Sequence, residues 1–220
     1  MVFYFKPRQY AVTGDKDDYL IYMGKDKYEN EELLKYSLPG DVWFHVDNLS
    51  SAHVYLRLPE GKTVQDIPED TLEDCCQLVK ANSIQGNKQN KINIVYTLAS
   101  NLKKTGDMVV GQVGYHDTKS ILNYRVEKRV NEIVNRLNKT KEELYPDLEA
   151  EKEAWLAKER QKGKLEAQRL KALEKSEKEE KQRLKELMSY DRIMVDEVMQ
   201  TNKDLKEKYQ SYEEFEDDFM

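Results

Sequence analysis

Two cysteines, three histidines, five prolines and nine glycines are all that the 220 residues hold of these types, and each scarcity excludes something. Cys75 and Cys76 are adjacent, so neither an intrachain disulfide framework nor a paired-cysteine zinc site can be assembled from them. The longest apolar stretch, Ile92 to Ala99, is interrupted by Asn93 and Thr97. It falls far short of the roughly 18 residues that a membrane-spanning helix needs. Met1 to Phe5 runs straight into Lys6 and Pro7, leaving no apolar stretch or small-residue cleavage site for a signal peptide. The expectation is a cytoplasmic or nuclear protein in a reducing compartment. Peripheral membrane association stays open, with no lipidation signal to argue for it. The GxSxG, P-loop and GxGxxG signatures are also missing, so acyl transfer and nucleotide hydrolysis have no support.

What is present in excess is charge. Charged residues make up 35% and apolar ones 39%, against norms near a quarter and about 45–50%, so part of the chain has no core of its own. Residues 1–125 carry 15 basic and 17 acidic side chains, and the remainder carry 21 and 25. Sign does not separate the halves, whereas density does. From Glu149 to Leu187 there is almost no Gly, Pro or β-branched residue, which favours a long exposed helix. A coiled coil would need sustained apolar a and d positions, and none occurs between Leu173 and Leu184. Opposite charges from Glu174 to Lys181 recur at spacings of three and four, which suits a solitary solvated helix and at most weak self-association.

The first half is punctuated differently. Val2 to Phe5, Tyr19 to Met23, Val42 to Val46, His53 to Leu58, Ile92 to Leu98, Met108 to Val113 and Ser120 to Tyr124 are short aromatic and β-branched runs bounded by turn residues, which predicts strands. Asn30 to Leu38 and Asp70 to Ser83 read as helices, the second with Leu72, Cys75, Cys76 and Val79 on one face. Val126, Val130, Ile133, Val134 and Leu137 recur at helical spacing up to the break at Tyr145-Pro146-Asp147. The expected architecture is α+β: a small mixed domain of short strands with two or three helices, followed by a long charged C-terminal helix. Its parts are a domain over residues 1–125, an amphipathic helix packing on it over 126–145, a charged helical arm over 146–190, and a helical to disordered acidic tail over 191–220.

Two constellations carry the candidate chemistry. A hairpin turning through Asp47 to Ser51 places His45 and His53 opposite each other. With Asp41 close by they resemble the start of an acid–base or metal site, but zinc wants a third ligand that the pattern does not supply. No metal, cofactor or catalysis is expected. The second constellation is electrostatic: between Asp74 and Asp107 there is no carboxylate, yet Lys80, Lys88, Lys91, Lys103 and Lys104 lie there with Ser83. Ammonium and hydroxyl donors are what phosphate oxygens accept. Tyr22, Tyr28, Trp43 and Tyr55 add possible stacking faces for unpaired bases, although aromatics at strand spacing also build cores.

The segment Tyr22-Met23-Gly24-Lys25-Asp26-Lys27-Tyr28, with Asp41-Val42-Trp43-Phe44-His45 and Ser51-Ala52-His53-Val54-Tyr55-Leu56-Arg57, resembles the NFACT-R domain. The resemblance continues through Lys80-Ala81-Asn82-Ser83, Asn101-Leu102-Lys103-Lys104 and Gly111-Gln112-Val113, covering about residues 18 to 115. It implies RNA binding and no enzymatic activity. In the larger relatives that the resemblance points to, the domain accompanies other modules in proteins that act on stalled large ribosomal subunits and hold transfer RNA. It further implies a signature surface made of Asp41, Trp43, His45 and the His53 to Arg57 strand, with Lys103 and Lys104 on phosphates. Where the family commonly has Gly-Ser before the second histidine, Ser51-Ala52 stands here.

The leading expectation is therefore a non-enzymatic binder of transfer RNA or ribosome-associated RNA. Its expected contacts are Lys25, Lys27, Trp43, His45, His53, Arg57, Lys80, Ser83, Lys88, Lys91, Lys103 and Lys104. The alternatives are a DNA-binding or DNA-sensing protein that signals through its helical arm, and an adaptor whose charged helix docks on a ribosome or another protein.

Overall fold

The computed structural model describes residues 1–8 and 19–189; the expected acidic tail lies outside them. Nine strands and four helices are described. β1 (Val2–Phe5), β2 (Leu20–Gly24), β3 (Val42–Val46), β4 (Val54–Arg57), β5 (Ile92–Leu98), β8 (Leu122–Val126) and β9 (Glu142–Leu144) form one antiparallel sheet in the order β8-β5-β3-β4-β2-β1-β9. β6 (Leu102–Lys103) and β7 (Gly114–Tyr115) form a separate two-stranded ribbon. The helices are α1 (Lys27–Tyr36), α2 (Glu69–Ala81), α3 (Asn131–Lys139) and α4 (Leu148–Met188). The class is α+β, with a long C-terminal helix.

The alternation of side chains along a strand splits the sheet into two buried faces. Val42, Phe44 and Val46 of β3 and Val54 and Leu56 of β4 join Cys75, Cys76, Leu78 and Val79 of α2 and Ile133 and Leu137 of α3 in the larger core. Trp43 and Tyr55, registered directly opposite each other, point the other way and pack with Tyr22, Val2 and Leu33 of α1. Residues on the long connection between β5 and β8, among them Leu102, Val113, Tyr115 and Ile121, close over this second face. Covering a sheet on both faces buries far more apolar area than a two-layer fold of the same length, and this area drives folding.

Local chemistry sets the helix ends. Asp26 caps α1 by accepting from the N–H groups of Tyr28 and Glu29 at 2.9 and 3.1 Å, so the helix begins three residues before the expected Asn30. Gly24 is required just upstream, because a Cβ there would stand 2.5 Å from Asn30 Oδ1. α2 starts after Pro68 with Glu69 and Asp70 in its first turn and ends as Asn82 Nδ2 donates to the Leu78 carbonyl, an arrangement that suits the helix dipole. Asp74 of α2 is fully buried and accepts from Arg8 and Arg136, tying the chain after β1 and helix α3 to α2.

Three sequence expectations change. Met108 to Val113 is a loop instead of a strand, turning through Gly111 at φ 87°, a backbone region open to glycine. Val126 closes β8 opposite Ile92, so the helix assigned from Val126 onward begins only at Asn131. Glu142–Leu144, charged and exposed, adds a short edge strand to β1.

Met1–Lys158 form one compact unit. It includes the first turns of α4, which pack through Leu148, the Glu151–Arg57 ion pair at 3.6 Å and Lys152 Nζ on the Lys35 carbonyl at 2.7 Å. Glu159–Met220 are the second unit. Its described part continues as helix to Met188 without a buried side chain and carries exposed pairs such as Lys175–Glu179 at 3.7 Å. Among the described residues, no helix is long and apolar enough to cross a membrane.

Candidate nucleic-acid interface

The β3–β4 hairpin builds the site. Phe44 and Val54 are the last registered pair, and one step further His45 and His53 face each other on the Trp43 side, as the turn length implied. The rings form one cluster. Trp43 and His45 stack at 5.3 Å with planes 4° apart, and His53 stands edge-on to Trp43 at 5.4 Å and to His45 at 5.2 Å. Tyr115 of β7 meets Trp43 edge-on at 6.0 Å. Together they line an open cleft of about 500 Å³, bounded further by Lys27, Asn30, Ser50, Ser51 and the loop 109–113.

Both imidazoles are neutral at physiological pH. Burial lowers the His45 pKa, and its Nδ1 donates to the Val46 carbonyl at 2.7 Å. Burial, followed by the neighbouring His45, lowers His53 to about 4. No group of three or more His, Cys, Asp or Glu suited to a metal occurs among the described residues.

Lys104 and Glu31 shape the loop wall of the cleft. The Lys104 ammonium donates to Glu31 Oε1, the Val109 carbonyl and the Gln112 carbonyl at 2.7, 2.8 and 2.9 Å. Gly111 N–H donates to the same Glu31 oxygen at 2.6 Å. Burial alone would raise the Glu31 pKa, but the Gly111 N–H and the Lys104 ammonium hold it below the ordinary value. All three ammonium protons are thus engaged by oxygens of the protein itself, so Lys104, although exposed, pins the loop.

Three other expected contacts are engaged within the protein. Lys80 is fully buried, and its Nζ donates to the carbonyls of Gly86 and Gln89. Both oxygens belong to the loop that follows α2, and burial lowers the Lys80 pKa. Ser83 is buried, donates to the Ser50 carbonyl at 2.6 Å and accepts from Gly86 N–H at 3.0 Å. Arg57 lies away from the cleft, over the Tyr22 ring at 5.3 Å and between Asp41 at 3.5 Å and Glu151. Asp41 is itself buried and accepts from the Tyr22 hydroxyl at 2.5 Å. Tyr22 and Tyr55 stack on each other in the core, whereas Tyr28 is 65% exposed with Lys27 Nζ 5.1 Å from its ring centroid.

The expected residues that the structure brings together are therefore Lys27, Trp43, His45 and His53. Lys25 is exposed on the turn before α1, and Lys103 is exposed on β6, which pairs with the strand carrying Tyr115. Lys88 and Lys91 are exposed on the α2–β5 loop, and the Ser83–Ser50 bond joins that region to the cleft edge. Asn30, Glu31 and Tyr115 were missed as site residues. Nothing in their own spacing signals the role, although Tyr115 follows two residues after the Gly111-Gln112-Val113 motif.

Comparison with known proteins places this geometry. The family model described as the NFACT protein RNA binding domain matches residues 1–117, and the chain belongs to that NFACT-R family of RNA-binding domains. Within it, the chain is similar over nearly its whole length to coiled-coil domain-containing protein 25 of Bos taurus. The two are 55% identical over 204 residues, which is 93% of this chain and 96% of the relative. The Danio rerio protein of the same name is 64% identical over 154 residues, covering 70% and 72% of the two chains. Protein JLP2 of Saccharomyces cerevisiae is 43% identical over 155 residues, covering 68% and 72%. A solved structure of the C-terminal of the fibronectin/fibrinogen-binding protein from Streptococcus suis overlays with a TM-score of 0.45 at 23% identity, covering 56% of this chain and 46% of that one.

Two outcomes test the geometry. Lys104→Met is expected to release the loop 105–113, seen as faster amide exchange at Gly111 while β3 and β4 stay protected. The lowered His53 pKa has a fixed sign. Between pH 4 and about 6.5 the unfolded chain binds a proton that the folded chain refuses, so this stability is complete above pH 6.5 and lost as pH falls toward 4. The loss should reach roughly 3 kcal/mol. Urea midpoints at pH 7 and 4.5 should show it in the parent protein and less of it in His53→Leu.

Proposed function

We propose that the chain is a non-enzymatic RNA-binding protein that engages transfer RNA or ribosome-associated RNA in the cytoplasm with the face bearing the Trp43 cleft. The observation that carries this reading is the convergence of Trp43, His45 and His53, the residues that the resemblance marks as a signature surface, on one aromatic cleft with Lys27 on its rim, in a chain that matches an RNA-binding domain family. Lys25, Lys103, Lys88 and Lys91 are exposed cations without an ion pair among the described residues, and they are the candidates for phosphate. A cleft of neutral rings bordered by such cations suits a strand whose bases are splayed out, the form in which proteins read RNA. Phosphate contacts alone do not separate RNA from DNA. The preference for RNA rests on the family and is decided by competition between the two acids.

A log–log plot of affinity against salt tests the reading. If about four lysines meet phosphate, a single-stranded RNA should give a slope of roughly −3. Lys27→Ala and Lys103→Ala should each flatten it by roughly 0.7, whereas Lys80→Met should leave the slope unchanged. A slope near zero rejects the proposal. Truncation after Lys158 separates it from the adaptor reading, because RNA affinity should survive loss of the second unit.

A further inference from the structure

The cleft beside Trp43 suits an uncharged planar group, and we infer that it receives a single unpaired nucleobase; this deepens the RNA-binding reading and rests on it. Two buried ring nitrogens carry the inference. Trp43 Nε1 and His53 Nδ1 belong to cleft-lining side chains that are 0% and 3% exposed, and neither has a hydrogen-bond partner among the described residues. Folded proteins leave few buried polar atoms unpaired, and those that remain call for an explanation such as a ligand or a function.

The two atoms have complementary chemistry. An indole Nε1–H can only donate. Neutral His53 carries one ring proton, and in its Nε2–H tautomer the unpartnered Nδ1 is an acceptor. The hydrogen-bonding edge of every nucleobase sets an acceptor beside a donor, and so answers both atoms. An ionised phosphate offers no donor, and an aliphatic side chain offers neither group.

The walls agree with this assignment. The stacked Trp43–His45 pair and Tyr115 supply aromatic surface, and the loop adds Val109 and Val113. A volume of about 500 Å³ lies within the range of small-molecule sites. The cation lining the cleft is Lys27, placed to hold the phosphate of a nucleotide whose base has entered.

The full-length protein carrying Trp155→Phe, in which Trp43 is the sole tryptophan, provides the test. It is titrated at one ionic strength with a single-stranded uridine decamer, an abasic decamer of equal phosphate count, a fully paired duplex and a tyrosine-containing peptide. The expected result is quenching of Trp43 by the decamer with bases and at least about tenfold tighter binding than to the abasic strand, with no quenching by the duplex. Val110→Phe, which fills the cleft from a half-exposed position, should abolish this preference and preserve the salt slope. Equal affinity for the strands with and without bases overturns the base pocket and leaves RNA binding intact. Failure to bind any RNA overturns both readings. Quenching by the peptide with no response to RNA assigns the cleft to a protein and likewise overturns the inference.

Discussion

The pairing of β3 with β4 is the constraint on which the rest of the molecule depends. Trp43 sits opposite Tyr55 and Phe44 opposite Val54, so two-residue alternation sends the residues at 41, 43, 45, 53, 55 and 57 to one face and Val42, Phe44, Val46, Val54 and Leu56 to the other. A slip of one residue would exchange the faces, moving the histidines to the side of α2 and Phe44 and Leu56 to the side of Trp43. The hydrophobic core and the site are thus set by the same register, and neither can be altered alone. Because the hairpin is central in the sheet and covered on both sides, it holds the ring cluster on rigid backbone.

Positive charge serves two distinct purposes. Lys80, buried, and Lys104, exposed, are both engaged by the protein itself, with backbone carbonyls or Glu31 accepting hydrogen bonds from their ammonium groups. A flexible lysine stem can carry its cation to such a nest of oxygens, and the loops 83–91 and 105–113 are each organised around one. Arg57 links buried Asp41 to Glu151 at the start of α4. What remains for a polyanion is a smaller set of lysines near the cleft and on the α2–β5 loop. In an acidic protein this makes shape and ring chemistry weigh more in recognition than net charge.

The strands from β1 to β5 and the helix pattern of α2 were legible because burial on two faces writes itself into alternation and into three-four spacing. The His45–His53 juxtaposition was legible too, since the turn length between them sets the pairing. Other features leave little trace in sequence. The intramolecular bonds of Lys80 and Lys104 depend on backbone carbonyls, which every residue has, so their spacing reads like that of any surface lysine. Val109 and Val110 have strand propensity, but Gly111 and the Lys104 pin turn that segment into a loop. β9 hides behind its charge, being an exposed edge strand paired on one side only. Asn30 and Tyr115 enter the site from α1 and β7, elements whose meeting is decided by packing over the Trp43 face.

Photocrosslinking to 4-thiouridine-substituted RNA, followed by mass spectrometry of the modified peptides, tests the central claim most directly. RNA seated on this face should leave its adducts within the peptides that carry Lys27-Tyr28, Trp43 to His53 and Val109 to Tyr115. Adducts confined to the helix beyond Glu159, with those peptides unmodified, would contradict it.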